Sequence, residues 1–128
     1  MNVVLFVYGT LGPGGDWWPL IAPYAVATTA NAVPGVLYDT GRGYPGAVFT
    51  VCDTLVHGWC RTLVDPPLAQ LDRYEGDEYT RVEVRCVDGT RALTYHWIAP
   101  LSGLTPVPSG RWPIPGAPMP GAGGPDLA

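Results

Sequence analysis

The chain has 128 residues, 47% hydrophobic and 14% charged, with a net charge of −4 and no lysine. That is enough for one domain around one core and too apolar for a disordered chain. The seven arginines are scattered and form no stripe to neutralise phosphates, so a nucleic-acid partner finds no support.

The start, MNVVLFVYG, lacks a basic leader and a small-residue cleavage site, so no signal peptide is predicted and the expected address is cytoplasmic. No run approaches the ~20 apolar residues of a membrane span. The first predicted element is a strand, Val3 to Tyr8, apolar on both faces and therefore central in its sheet. It ends in the loop Gly9-Thr10-Leu11-Gly12-Pro13-Gly14-Gly15. Residues 17–23 suit a short helix limited by Pro19 and Pro23. Val26 to Ala32 and Val36 to Tyr38 read as two strands joined by a turn at Pro34-Gly35. A second glycine-rich bend, 41–46, leads into a strand from Ala47 to Val51, and Thr54 to Val64 is another.

One helix interrupts the strands. Asp65 reads as its N-cap, Pro66 and Pro67 fit the first turn, and Gly76 stops it. Leu68, Leu71 and Glu75 fall on a single stripe of that helix, which puts a carboxylate where the pattern asks for a core residue. From Tyr79 the alternation is clean, with Val82, Val84 and Cys86 on one face and Arg81, Glu83 and Arg85 on the other. Asp88-Gly89 turns the chain into a strand carrying Leu93, Tyr95 and Trp97 on one face. The last thirty residues hold eight of the fifteen prolines and six of the seventeen glycines, which forbids regular structure. The segment is either a flexible tail or, through Leu101, Leu104, Val107, Trp112 and Ile114, one that wraps the barrel, and the predicted division is a domain over 1–112 and a Pro/Gly-rich tail over 113–128.

Few residues offer chemistry. The strand ending in Tyr8-Gly9-Thr10-Leu11 exposes consecutive backbone N–H groups, which serve equally as a surface turn or as a cradle for a carboxylate. Glu75 is either a solvated glutamate or a buried acid. Burial and the negative end of the helix dipole would both raise its pKa, the condition for a general acid/base near neutral pH. Asp72 lies one turn earlier and either faces water or adds like-charge pressure. Tyr8, Tyr38, Tyr44, Tyr79 and Tyr95 are pocket or core residues, and Arg81 suits a surface pair with Asp77-Glu78. Cys52, Cys60 and Cys86 show no metal-ligand spacing and read as buried free thiols. His57 and His96 have no nucleophilic partner at a recognisable motif.

Four segments in order resemble the gamma-glutamylcyclotransferase-like family, which includes the gamma-glutamylamine cyclotransferases. They are Val7-Tyr8-Gly9-Thr10-Leu11, Pro34-Gly35-Val36-Leu37-Tyr38 with Tyr44-Pro45, Leu71-Asp72-Arg73-Tyr74-Glu75-Gly76 with Tyr79-Thr80-Arg81, and Ser109-Gly110-Arg111-Trp112. The resemblance implies an α+β fold, a small mixed β-barrel with flanking helices. It implies a cyclotransferase that turns a small gamma-glutamyl amide or peptide into 5-oxoproline and a free amine, with no metal or cofactor. Glu75 would be the proton acceptor, and Tyr8, Gly9, Thr10 and Leu11, with Tyr38 and Tyr79, would bind the substrate. Many members carry a basic residue after that loop, where this chain has Gly12-Pro13-Gly14-Gly15. Two rivals stand beside this reading. A non-catalytic binding module has no need of a carboxylate on an apolar stripe. A hydrolase using Asp72 and Glu75 would need them to flank a bond from opposite sides, but they project from one helix face.

Overall fold

The structure, a computed structural model, describes residues 1–9 and 18–112. Strand β1 (Asn2–Val7) is followed by two single 3-10 turns, Trp18–Leu20 and Ala22–Tyr24. Then come β2 (Ala25–Asp39), β3 (Pro45–Phe49), β4 (Leu55–Val64), the helix α1 (Leu68–Glu75), β5 (Tyr79–Arg85), β6 (Arg91–Trp97) and the short β7 (Thr105–Pro106). The strands lie in the order β3-β2-β4-β1-β6-β5, with β7 on β2. All pairs are antiparallel except β1 with β6.

The sheet curls into a nearly closed barrel. Two contacts bridge strands that are not neighbours in that order. The Phe49 amide donates to His96 Nδ1 at 3.2 Å, joining β3 to β6. The Val87 amide donates to the Ala32 carbonyl at 2.9 Å, joining the end of β5 to β2. β1 is central and buried on both faces, as its unbroken apolar run predicts. Leu5 and Val7 pack with Leu63, Leu71, Tyr79, Tyr95 and Trp97. Phe6 and Tyr8 pack with Val33, Leu37, Val56, Cys60, Cys86 and Val107.

Two sequence expectations are corrected. Pro34-Gly35 is not a turn: β2 runs straight through it. Up to Pro34 the strand pairs with β4, and from Gly35 onward it pairs with β3. Proline's missing N–H is harmless where the strand changes partner. A Cβ at Gly35 would stand 2.6 Å from the Val48 carbonyl oxygen, so the glycine serves close strand approach. Asp65 is not the N-cap of α1. The cap position falls to Pro67, with no side-chain cap bond. Asp65 instead pairs with the Met1 ammonium, and its amide donates to the Met1 carbonyl. The segment 99–112 packs on the barrel through β7 and the buried Val107, while the tail expected at 113–128 lies outside the described residues.

Candidate active site

Helix α1 has three residues of its stripe to place, and it buries two of them completely: Leu71 and Glu75. Glu75 is 1% exposed. The helix stops there because Gly76 adopts φ 84°, with its amide bonded to the Asp72 carbonyl at 3.1 Å. The chain then turns sharply enough to start β5 at Tyr79. A helix end and a strand start four residues apart therefore share one side of the molecule.

Three tyrosines surround this carboxylate closely enough for its charge to act on each. Burial, then the Glu75 charge, hold the Tyr8 phenol well above its ordinary pKa. Burial raises Tyr79 most, with Tyr8 and Glu75 adding to it. Burial also leads for Tyr95, followed by Asp72 and then Glu75. All three phenols stay protonated at neutral pH, and each proton is committed. Tyr8 donates to the Tyr95 carbonyl at 2.6 Å, Tyr79 to the Pro45 carbonyl at 2.5 Å, and Tyr95 to Asp72 Oδ1 at 2.8 Å. The three phenols thus wall the carboxylate with their protons held by other acceptors.

Asp72 is partly exposed but not idle: it accepts from Tyr95 and pairs with Arg81 at 3.1 Å. Arg81 thus takes Asp72, not the Asp77-Glu78 cluster expected from sequence. Glu78 is held from another side, by Arg42 at 2.6 Å and the Tyr44 hydroxyl at 3.2 Å. The Arg42 guanidinium lies over the Tyr44 ring at 5.0 Å and the Trp97 ring at 6.0 Å. Trp97 packs edge-on to Tyr79 at 5.2 Å between centroids, and its buried indole N–H has no acceptor among the described residues. Gly46 makes room for that indole, since a Cβ there would stand 2.7 Å from the ring.

Of the residues singled out in the sequence, Tyr8, Glu75 and Tyr79 come together, and Gly9 follows directly on β1. Thr10 and Leu11 lie outside the described residues. Tyr38 is half-buried on β2 opposite Gly46 and Pro106, and nothing in that pairing brings it to the carboxylate. Sequence reasoning gave no role to Trp97 and did not connect Asp72 with Tyr95. The apolar face Leu93, Tyr95, Trp97 was the available signal for the first; the second depends on a contact across 23 positions. Among the described residues, no group of three or more His, Cys, Asp or Glu is placed to hold a metal, and no helix is long and apolar enough to cross a membrane.

A small, nearly closed barrel with a buried acid at the end of its one described α-helix defines the class. The family follows from the sequence match: the chain belongs to the gamma-glutamyl cyclotransferase, AIG2-like family, whose model matches residues 5–113. Among solved structures it is similar to YkqA from Bacillus subtilis, at 27% identity and TM-score 0.71, over 88% of this chain and 40% of YkqA. The chain thus spans less than half the length of that relative. It shares its fold with c4763, a uropathogenic E. coli-specific protein, at 19% identity and TM-score 0.73, over 88% of this chain and 93% of that one. The same fold occurs in an AIG2-like protein of Mus musculus, at 17% identity and TM-score 0.61, over 77% and 80%. No curated protein matches the sequence.

Proposed function

We propose that this chain converts a gamma-glutamyl amide or peptide to 5-oxoproline and releases the free amine, with Glu75 as the single acid/base. The observation that carries the reading is the burial of Glu75 to 1% exposure among three tyrosines. Burying a carboxylate costs stability that pairing only offsets, and acids with such perturbed surroundings gather at functional sites.

The reaction suits one carboxylate. A gamma-glutamyl amide carries its own nucleophile, the alpha-amine, which reaches the gamma-carbonyl by bending the chain into a five-membered ring. Holding that bend is mostly a matter of orientation. Glu75 takes a proton from the alpha-ammonium, and the freed nitrogen attacks the gamma-carbon. As the carbon–nitrogen bond to the leaving group breaks, Glu75 returns the proton to the departing amine, and the second proton, shed by the attacking nitrogen as it becomes the lactam N–H, leaves on that amine in its ammonium form. Neither step as written needs a metal, a cofactor or a covalent intermediate. Tyr8 and Tyr79, with their own protons committed, position the substrate. Gly9, Thr10 and Leu11 would hold the alpha-carboxylate through backbone N–H groups and Tyr38 would flank it, with residues 1–112 as the catalytic domain.

The test is a screen of gamma-glutamyl dipeptides, gamma-glutamyl-alkylamines and the gamma-glutamyl-epsilon-lysine isopeptide for released 5-oxoproline. Turnover of at least one class that tracks enzyme concentration is expected. Release no faster than in buffer, across all three classes, would remove the reading.

A further inference from the structure

Outside the carboxylate site, the described residues bring one pair of reactive groups together. Cys60 on β4 and Cys86, just past β5, stand with their sulfurs 3.5 Å apart, and both are buried. They are 26 positions apart in sequence, on strands separated in the sheet by β1 and β6. Only the curl of the barrel makes them meet. We propose that Cys60 and Cys86 are a latent disulfide site, closed by a two-electron oxidant without rearrangement of the barrel.

Three observations support this. First, the backbones that carry the sulfurs are fixed. Cys60 lies on a strand paired on both sides, opposite Phe6 on β1 and Thr29 on β2. Cys86 is locked by the hairpin turn: its amide donates to the Thr90 carbonyl at 2.8 Å, and its carbonyl accepts from the Gly89 amide at 2.9 Å. Two sulfurs in contact on fixed backbones need side-chain rotation, not chain movement, to bond. Second, the bond would fall on a seam of the barrel. The chain leaving β5 reaches β2 through the Val87–Ala32 backbone hydrogen bond and a side-chain bond between Asp88 and Asn31, and a Cys60–Cys86 link would reinforce that seam covalently. Third, a cavity of about 430 Å³ comes close to the pair: it is lined by Trp59 and Val87, the chain neighbours of the two cysteines. Asn31, hydrogen-bonded to the Cys60 thiol, lines it too.

The chemistry balances with hydrogen peroxide as the oxidant. One thiolate attacks the peroxide to give a sulfenic acid and hydroxide, and the second sulfur displaces the oxygen as water. Both sulfhydryl hydrogens are lost, the S–S bond forms, and one peroxide becomes two waters. Burial first of all holds both thiols in the protonated form, with Cys86 raised to about 12, so the reaction is slow at neutral pH. The same shielding protects the bond once formed.

The experiment uses the full chain and its Cys52→Ser variant, because Cys52 is the exposed thiol and would otherwise cross-link molecules. Each protein is treated with hydrogen peroxide under native conditions, then analysed by intact mass, peptide mapping and thermal melting. The expected product has lost two hydrogens (~2 Da), yields a linked Cys60–Cys86 peptide and, on the loop-entropy scale, melts roughly 10 °C higher. Dithiothreitol should reverse the mass change and the link once denaturant exposes the bond. The proposal is overturned if the pair stays reduced while Cys52 oxidises fully in the wild type. It is equally overturned if oxygen adds to either buried cysteine without a link, if the link forms only in denaturant, or if the linked protein melts no higher than the reduced one.

Discussion

Strand β5 begins beside a carboxylate and ends beside two thiols, and the two ends are built on opposite principles. At the Tyr79 end the interior is polar and committed: Tyr8, Tyr79 and Tyr95 each donate a proton to a named acceptor around a buried acid. At the Cys86 end the neighbours are apolar, among them Phe6, Val33, Leu37, Val56 and Ala92. The seams differ in the same sense. Near Trp97 the barrel is joined by an imidazole that accepts an amide proton, whereas near Cys86 it is joined by a backbone bond. A titratable seam stands at the end where proton chemistry is proposed, and a redox-sensitive pair stands at the other. The two ends meet at Tyr8, which packs in the cysteine cluster and donates to the Tyr95 carbonyl, while the seven residues of β5 separate Tyr79 from Cys86.

The largest expected effect separates the ends at once. Glu75→Gln keeps the size of the side chain and removes its ability to take and return a proton. Turnover to 5-oxoproline should fall by roughly 10²–10⁴-fold, with binding of 5-oxoproline retained and the melting temperature held or raised. A folded variant with near wild-type turnover would take the chemistry away from this end.

Next in size is Gly46→Ala. The new Cβ would meet the Trp97 ring at 2.7 Å, and that ring is buried against Tyr79. Overpacking of this kind should cost about 1–3 kcal/mol, read as a lower denaturant midpoint at unchanged slope. Because Tyr79 moves with Trp97, turnover should fall as well. Gly76→Ala is the comparison: a Cβ there meets nothing within 4 Å, but the backbone sits at φ 84°. It should cost about 1 kcal/mol through strain alone. If Gly46→Ala costs no more than Gly76→Ala, the close packing ascribed to the Trp97 region is wrong.

How much of this was legible in the sequence depends on how local each cause is. Glu75 could be found because Leu68, Leu71 and Glu75 repeat at helical spacing, and the rule that buries such a stripe is local. The strands from Tyr79 to Trp97 could be found because alternation and the Asp88-Gly89 turn are local too. Pro34-Gly35 misleads because the same dipeptide serves a turn or a strand changing partners, and the choice is made by β3 and β4. Asp65 misleads because its partner is Met1, 64 positions away. The family's four segments named Tyr8 and Tyr79 as substrate-binding residues, and the fold brings both within reach of the Glu75 charge. The meeting of Cys60 with Cys86 was invisible, since it depends on how the barrel closes.

The smallest predicted effect concerns the imidazole seam. His96 Nδ1 can accept the Phe49 amide proton only while the ring nitrogen is unprotonated, and burial lowers the His96 pKa below its ordinary value near 6.5. The folded state therefore resists a proton that the unfolded chain accepts. Between the lowered value and about 6.5 the unfolded chain binds more protons, so stability declines as pH falls through that window and is independent of His96 above it. His57 acts in the same direction, through burial first and the nearby Arg111 second. The two must be separated by mutation. In His96→Asn the amide oxygen can still accept from Phe49 but nothing titrates near neutrality. The wild type should lose on the order of 2–4 °C more than this variant between pH 7 and pH 5.5. Hydrogen exchange offers a local reading: the Phe49 amide should lose protection over that interval in the wild type and keep it in the variant. Melting curves that fall in parallel, with Phe49 equally protected in both proteins, would show that the imidazole seam does not respond to protons.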